Sequence, residues 1–216
     1  MSDLRDSQVR LQTIREVAGT VRKKTRRHAF AHIEKMLANE TRRLFADSHW
    51  GKAAAEKLKT ANGRVNRWRL GKTQWGQICA ATAKSYRRGR AAFAKAVRKP
   101  TPKNLHTWRK DLKQLWYQLR ILQSLNPVVL EEIANDAKTL GEILGRSHDL
   151  SFLLQHLKDM RGDGALQKEY AELQPLILKR CATLKRNALE LGRRFYAEPP
   201  KAFAKRIAIF IEEKKT

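Results

Sequence analysis

Leu105-His106-Thr107-Trp108-Arg109-Lys110-Asp111-Leu112-Lys113-Gln114-Leu115-Trp116-Tyr117-Gln118-Leu119-Arg120 carries two interleaved helical patterns. Leu105, Trp108, Leu112, Leu115, Trp116, Leu119 and Leu122 recur at spacings of three and four, which gathers them into one apolar stripe on a helix. His106, Arg109, Lys110, Lys113, Tyr117 and Arg120 repeat that spacing on another face. Residues seven apart lie roughly 10 Å apart along a helix axis, so the second face is a basic ridge able to follow a linear phosphate chain. For one helix taken alone, a solvated surface is the competing reading. Against it stands the acid content: Asp111 is the only acid between 103 and 124, whereas exposed helices ordinarily mix both signs.

The same period extends outward in both directions. It predicts helices over about 4–18, 21–46, 50–61, 64–69, 73–98, 103–124, 128–158, 165–197 and 200–214. No alternating strand pattern and no Asn-Gly or Asp-Gly hairpin turn is present. The one β-like run, Ile207 to Ile211, is too short and isolated to make a sheet. Asn126-Pro127 ends one helix and starts the next, and Thr101 is placed to cap the helix after Lys99-Pro100. Gly162-Asp163-Gly164 reads as a loop, and Pro175 as a kink or a fresh start within a longer pattern. Long helices with short joints make an all-α fold of antiparallel bundles. A faint echo relates residues 5–11 to 148–154 at an offset of 143 and hints at two similar helical halves.

Charge then narrows the partners. The 216 residues hold 46 Lys plus Arg against 21 Asp plus Glu, a net charge of +25 with His neutral. Such a surface repels itself unless a polyanion or counterions screen it. At 42% hydrophobic residues the chain buries a core, which excludes a disordered basic tail. The longest apolar run is too short to cross a membrane, and the first six residues form no secretory signal. Cys79 and Cys181 read as small core residues in a reducing, cytoplasmic compartment.

The basic theme recurs along the chain. Lys84, Arg87, Arg88, Lys95 and Arg98 cluster on one side of helix 73–98, with Ile78, Phe93 and Val97 marking its buried side. Gly89, inside Tyr86-Arg87-Arg88-Gly89-Arg90, would let another helix or an anion approach the backbone. Further stripes run through Arg22 to Arg43 and Lys179 to Arg194. Together they favour a shared cationic surface or a channel between helices. Catalytic and metal signatures fail. His28 and His32 suit a ligand pair by spacing, but no Glu follows the HExxH manner and no Cys is near. His148-Asp149 has no nucleophile beside it. Gly141 and Gly145 read as close helix contacts, and no phosphate-cradling glycine loop occurs. No metal and no cofactor is expected.

Tyr86 to Arg90, Leu105 to Arg120, Leu140-Gly141-Glu142-Ile143-Leu144-Gly145-Arg146-Ser147-His148-Asp149-Leu150, and then Leu191 to Glu198 with Pro200 and Phe203, follow one another in an order that resembles the CHAD (conserved histidine α-helical) domain family. The likeness is best over 86–210 and weaker over 1–50. It implies two four-helix bundles related by an approximate twofold around a basic cavity. It implies inorganic polyphosphate as ligand, association with polyphosphate granules in some members, and no catalysis, since enzymatic members use a separate triphosphatase domain. Carried over residue by residue, it points to His106, Arg109, Lys110 and Lys113, to Arg87 and Arg90, to His148, and to Arg180.

The expected layout is a single CHAD-like domain over 1–216, with 1–71 a partial N-terminal half and 72–216 the remaining bundle helices. The resemblance leads to the expectation that the family's opening helix pair is missing here. A homo-oligomer completing the incomplete first bundle is therefore expected. The alternative to polyphosphate binding is a basic helical protein that binds DNA or RNA without base readout.

Overall fold

In a computed structural model, residues 2–20, 24–46, 50–67, 75–160 and 166–213 are described. Among these residues there are eight helices and no strand: α1 (Ser2–Ala18), α2 (Lys24–Ala46), α3 (Trp50–Val65), α4 (Trp75–Arg98), α5 (Pro102–Leu122), α6 (Pro127–Met160), α7 (Gln167–Phe195) and α8 (Pro200–Glu213). The fold class is all-α, as the period predicts. The two pieces expected over 50–69 are instead one helix to Val65, and Ile207 to Ile211 lies inside α8. The expected Gly162–Gly164 loop, Arg22 and Lys23 fall outside the described residues.

Local signals act where the sequence puts them. Thr101 is extended, with φ −78° and ψ 156°, and its hydroxyl accepts from the Asn104 N–H, with Pro102 opening the helix. The Asn126 carboxamide accepts from the Val129 N–H at 3.1 Å and starts α6 in the same way. Pro175 neither ends nor restarts α7. A proline removes the bond to the carbonyl four residues back. Pro175 and Ala171 are both exposed, so water can satisfy that carbonyl.

Chain contacts divide the molecule into two compact units: Met1–Lys72 with Asp149–Leu178, and Thr73–His148 with Lys179–Thr216. α6 and α7 each contribute to both.

In the first unit α1 and α2 form an antiparallel hairpin, since Arg10 pairs with Glu40 and Arg15 with Glu34. The far part of α6 and the near part of α7 complete this unit. The 143-residue echo relates α1 to the far part of α6, and apart from His148 both of its members lie within this unit. Buried Ser7, Arg10 and Ile14 of α1 stand at the same spacing as buried Leu150, Leu153 and Leu157 of α6. Arg10, 7% exposed, thus occupies a position that is Leu in the partner repeat. It bonds Glu40 at 2.9 Å and lies over the Phe152 ring, and Glu40 also receives His156 at 3.1 Å. On the next helix His32 meets Glu169 at 2.7 Å.

The second unit is closed by aromatic rings and small residues. Tyr86 and Phe93 of α4, Trp108 of α5, Tyr196 just after α7 and Phe203 of α8 form one cluster. Tyr86 stacks on Phe203 at 4.0 Å, Phe93 meets Trp108 at 5.0 Å, and Phe93 stacks on Tyr196 at 5.6 Å. Glycines make these approaches possible. A Cβ on Gly192 would stand 2.7 Å from both Phe93 and Trp108, and one on Gly89 would collide with the Tyr196 hydroxyl. The close approach that Gly89 invites is therefore an aromatic side chain. On the buried side of α4, Ile78 and Phe93 pack against the core as expected, and Val97 does not. Thr82, Ser85, Tyr86, Gly89 and Ala96 face inward, while Val97 is 38% exposed. Small residues win there because helix axes approach closely only where side chains are short.

Candidate functional site

The α5 stripe is buried throughout its leucines, and Trp108 is fully enclosed. This fixes the rotation of the helix and thereby the direction of the ridge. Asp111, the sole acid of α5, is turned away from the ridge. Its carboxylate, 11% exposed, takes the Arg88 guanidinium of α4 at 2.6 Å. The ridge cations are left with no acid on their own helix.

α6 runs antiparallel beside α5, because Leu112 lies against Gly141, Arg109 against Gly145 and His106 against His148. Gly141, Gly145 and His148 follow the helical spacing on one face of α6. The Arg109 guanidinium lies 3.3 Å from the position a Cβ would take on Gly145. Its Nε is buried with no hydrogen-bond partner among the described residues. The His106 and His148 rings are 4.8 Å apart, tilted by 42°. Lys110 is exposed and Lys113 half-buried. Lys113 lies 5.9 Å from the Tyr117 ring, and the Arg120 guanidinium lies 5.2 Å over Trp116. Five residues named from the sequence, His106, Arg109, Lys110, Lys113 and His148, therefore occupy one patch formed by two adjacent helices. Guanidinium, ammonium and imidazole groups so disposed are suited to holding phosphate oxygens.

Arg87 and Arg90 stand elsewhere in the same unit. They border a cleft lined also by Ala91, Phe93, Ala94, Tyr196 and Pro200. The Arg90 Nε donates to the Tyr196 carbonyl at 3.0 Å, which satisfies one of the carbonyls left open at the end of α7. The Tyr86 hydroxyl donates to the Glu198 carbonyl at 2.9 Å. Burial, then the nearby Glu198, raises the Tyr86 hydroxyl to about 12, and burial raises Tyr196 further still. Both rings stay neutral. The Tyr-Arg-Arg-Gly-Arg stretch is thus largely a clasp between α4 and the α7–α8 joint. Arg180 is half-buried on α7, within the second unit.

Sequence reasoning missed the role of Gly145, which makes room for a basic side chain rather than a neighbouring backbone. The signal was present: Gly141, Gly145 and His148 share one face opposite a ridge with matching spacing. It also missed Arg10, Glu40 and His156, whose pairing spans residues far apart in the chain. Among the described residues no group of three His, Cys, Asp or Glu side chains is arranged to hold a metal ion. None of their helices is long and apolar enough to cross a membrane.

Comparison with curated proteins and with solved structures gives no match. The family model of the CHAD domain matches residues 1–158, a span that takes in α1 to α5 and most of α6. With the basic patch of α5 and α6 inside that span, the chain belongs to the CHAD domain family, which is associated with polyphosphate binding.

Proposed function

We propose that this chain binds inorganic polyphosphate, without turning it over, on the patch formed by α5 and α6. One observation carries the reading. The only acid of α5 is drawn into a pair with Arg88 on the far side, so Arg109, Lys110 and Lys113 stand with no acid of their own helix beside them, flanked by His106 and faced by His148. Arg109 supplies fork-shaped donors, Lys110 and Lys113 point charges, and the two imidazoles further hydrogen bonds. Displacement of counterions from the polyanion drives association, as it does for nucleic acids. Recruitment to polyphosphate granules in the cytoplasm follows from the same binding.

The test is a titration with long-chain polyphosphate at about 0.15 M salt, where distant surface charges are screened, repeated with excess duplex DNA. Tight binding that survives DNA is expected. Arg109→Ala is expected to weaken it about tenfold, the effect of one charge-assisted bond, whereas Arg64→Ala, on exposed α3, leaves it intact. Binding abolished by DNA would replace this reading with that of a general nucleic-acid-binding surface.

A further inference from the structure

The cleft beside Arg87 and Arg90 is chemically unlike the α5–α6 patch. It encloses about 340 Å³, within the range of small-molecule sites. Its walls are carbon: Ala91, Phe93, Ala94, Pro200 and the ring of Tyr196. Polyphosphate is charged at every unit and has no apolar surface, so those walls offer it nothing in return for lost hydration. Yet two guanidiniums stand at the border. Arg87 and Arg90 lie three residues apart, neighbours on one helix face. Arg90 is steadied by its Nε bond to the Tyr196 carbonyl, a bond that does not engage its two terminal nitrogens. Arg87 makes no hydrogen bond or ion pair with any described residue. A carbon-walled cleft bordered by two arginines of one helix face asks for a ligand with an apolar body and one anionic end.

We propose that this cleft is a second binding site, separate from the polyphosphate patch, for a small organic anion whose aromatic or aliphatic body lies against Phe93, Ala91 and Ala94 while its anionic head meets Arg87 and Arg90. The site is built by the same contacts that close the aromatic core. Tyr196 is both the cleft wall and the ring held against Gly89, and Pro200 is the first residue of α8.

The test uses 1-anilinonaphthalene-8-sulfonate, an aromatic body with one sulfonate, titrated by fluorescence into the full chain at about 0.15 M salt, where surface attraction is screened. Saturable binding at one site is expected. Ala94→Phe fills the cleft from an exposed helix position and should abolish that binding. Arg87→Ala should weaken it about tenfold, since one charge-assisted contact is lost. Arg64→Ala, on exposed α3, should change nothing. Polyphosphate binding, measured in parallel, should persist in Ala94→Phe, which also shows that the variant is folded. Equal dye binding by Ala94→Phe and by Arg87→Ala would overturn the proposal, as would absence of a saturable site in the parent chain. Full displacement of the dye by polyphosphate would overturn the separateness of the two sites. Loss of polyphosphate binding by the parent chain with dye binding intact would defeat the proposed function and leave this inference standing.

Discussion

The two units use charge in opposite ways. In the first, acids on α2 and α7 meet basic side chains of neighbouring helices. Glu40 takes Arg10 and His156, Glu34 takes Arg15, and Glu169 takes His32. In the second, Asp111 and Glu198 are bound by Arg88 and Arg206 beside the aromatic cluster, and the α5 ridge keeps its positive charge unpaired. The same basic composition therefore yields adhesive between helices in one region and a surface for an external anion in the other. What decides is where the acids fall relative to the apolar stripe. An acid next to the stripe is pulled inward and paired with a neighbouring helix, and the opposite face is left cationic.

The largest effect that would sharpen the comparison is in the aromatic cluster. Trp108→Ala should cost the second unit about 3–5 kcal/mol, as large-to-small changes do in packed cores. Gly192→Ala should cost it about 1–3 kcal/mol through overpacking against Phe93 and Trp108. Hydrogen exchange should show lost protection in α4, α5 and α8, with α1 and α2 unchanged. Equal loss in both regions would break the distinction between them.

A smaller effect is expected in the first unit. Arg10→Ala leaves Glu40 with only His156, and should cost about 2 kcal/mol, below the range for fully buried pairs because Glu40 remains partly exposed. Arg10→Met combined with Glu40→Gln should cost less than Arg10→Ala alone, since it removes both charges and restores an apolar filler where the partner repeat has Leu153. If the double variant is the weaker of the two in urea denaturation, ion pairing holds this position for more than charge compensation.

The smallest effect is the pH dependence of that unit. The hydrogen bond from His32, the leading cause, holds the Glu169 carboxyl below the ordinary glutamate value of 4.5. A carboxylate with a depressed folded value adds stability above its unfolded pKa and loses it as the pH falls through the folded one. The loss therefore lies below about pH 4.5. Glu169→Gln should remove about 0.5 kcal/mol of stability at neutral pH, as expected for an exposed pair, and should flatten the acid limb by the same amount. An unchanged acid limb would show that the His32 contact adds nothing to folding.

Much of this was legible in the residues. The helices followed from period, their starts from Thr101, Asn126 and Pro127, and the direction of the α5 ridge from the stripe behind it. Val97 shows the limit of the method. An apolar residue at a plausible interval reads as buried, but α4 faces its neighbours through Thr82, Ser85 and Gly89, whose shortness carries no periodic signal. Arg87 and Arg90 show another limit, because chain proximity to other basic residues does not reveal that Tyr196 and Pro200 wall them into a cleft. The pairs Arg10–Glu40 and His156–Glu40 join residues 30 and 116 positions apart, beyond any local pattern.

The sequence by itself determined that this chain is helical, strongly cationic and arranged around a ridge whose one acid is Asp111, because helix period and net charge are local and additive properties. Only the tertiary structure decided which cations stay free for a ligand. That choice depends on which acid, carbonyl or glycine a neighbouring helix brings within about 3 Å, the range in which hydrogen bonds form. Asp111 was withdrawn by Arg88, Arg90 was held by the Tyr196 carbonyl, and Arg109 was given room by Gly145 and left without a partner.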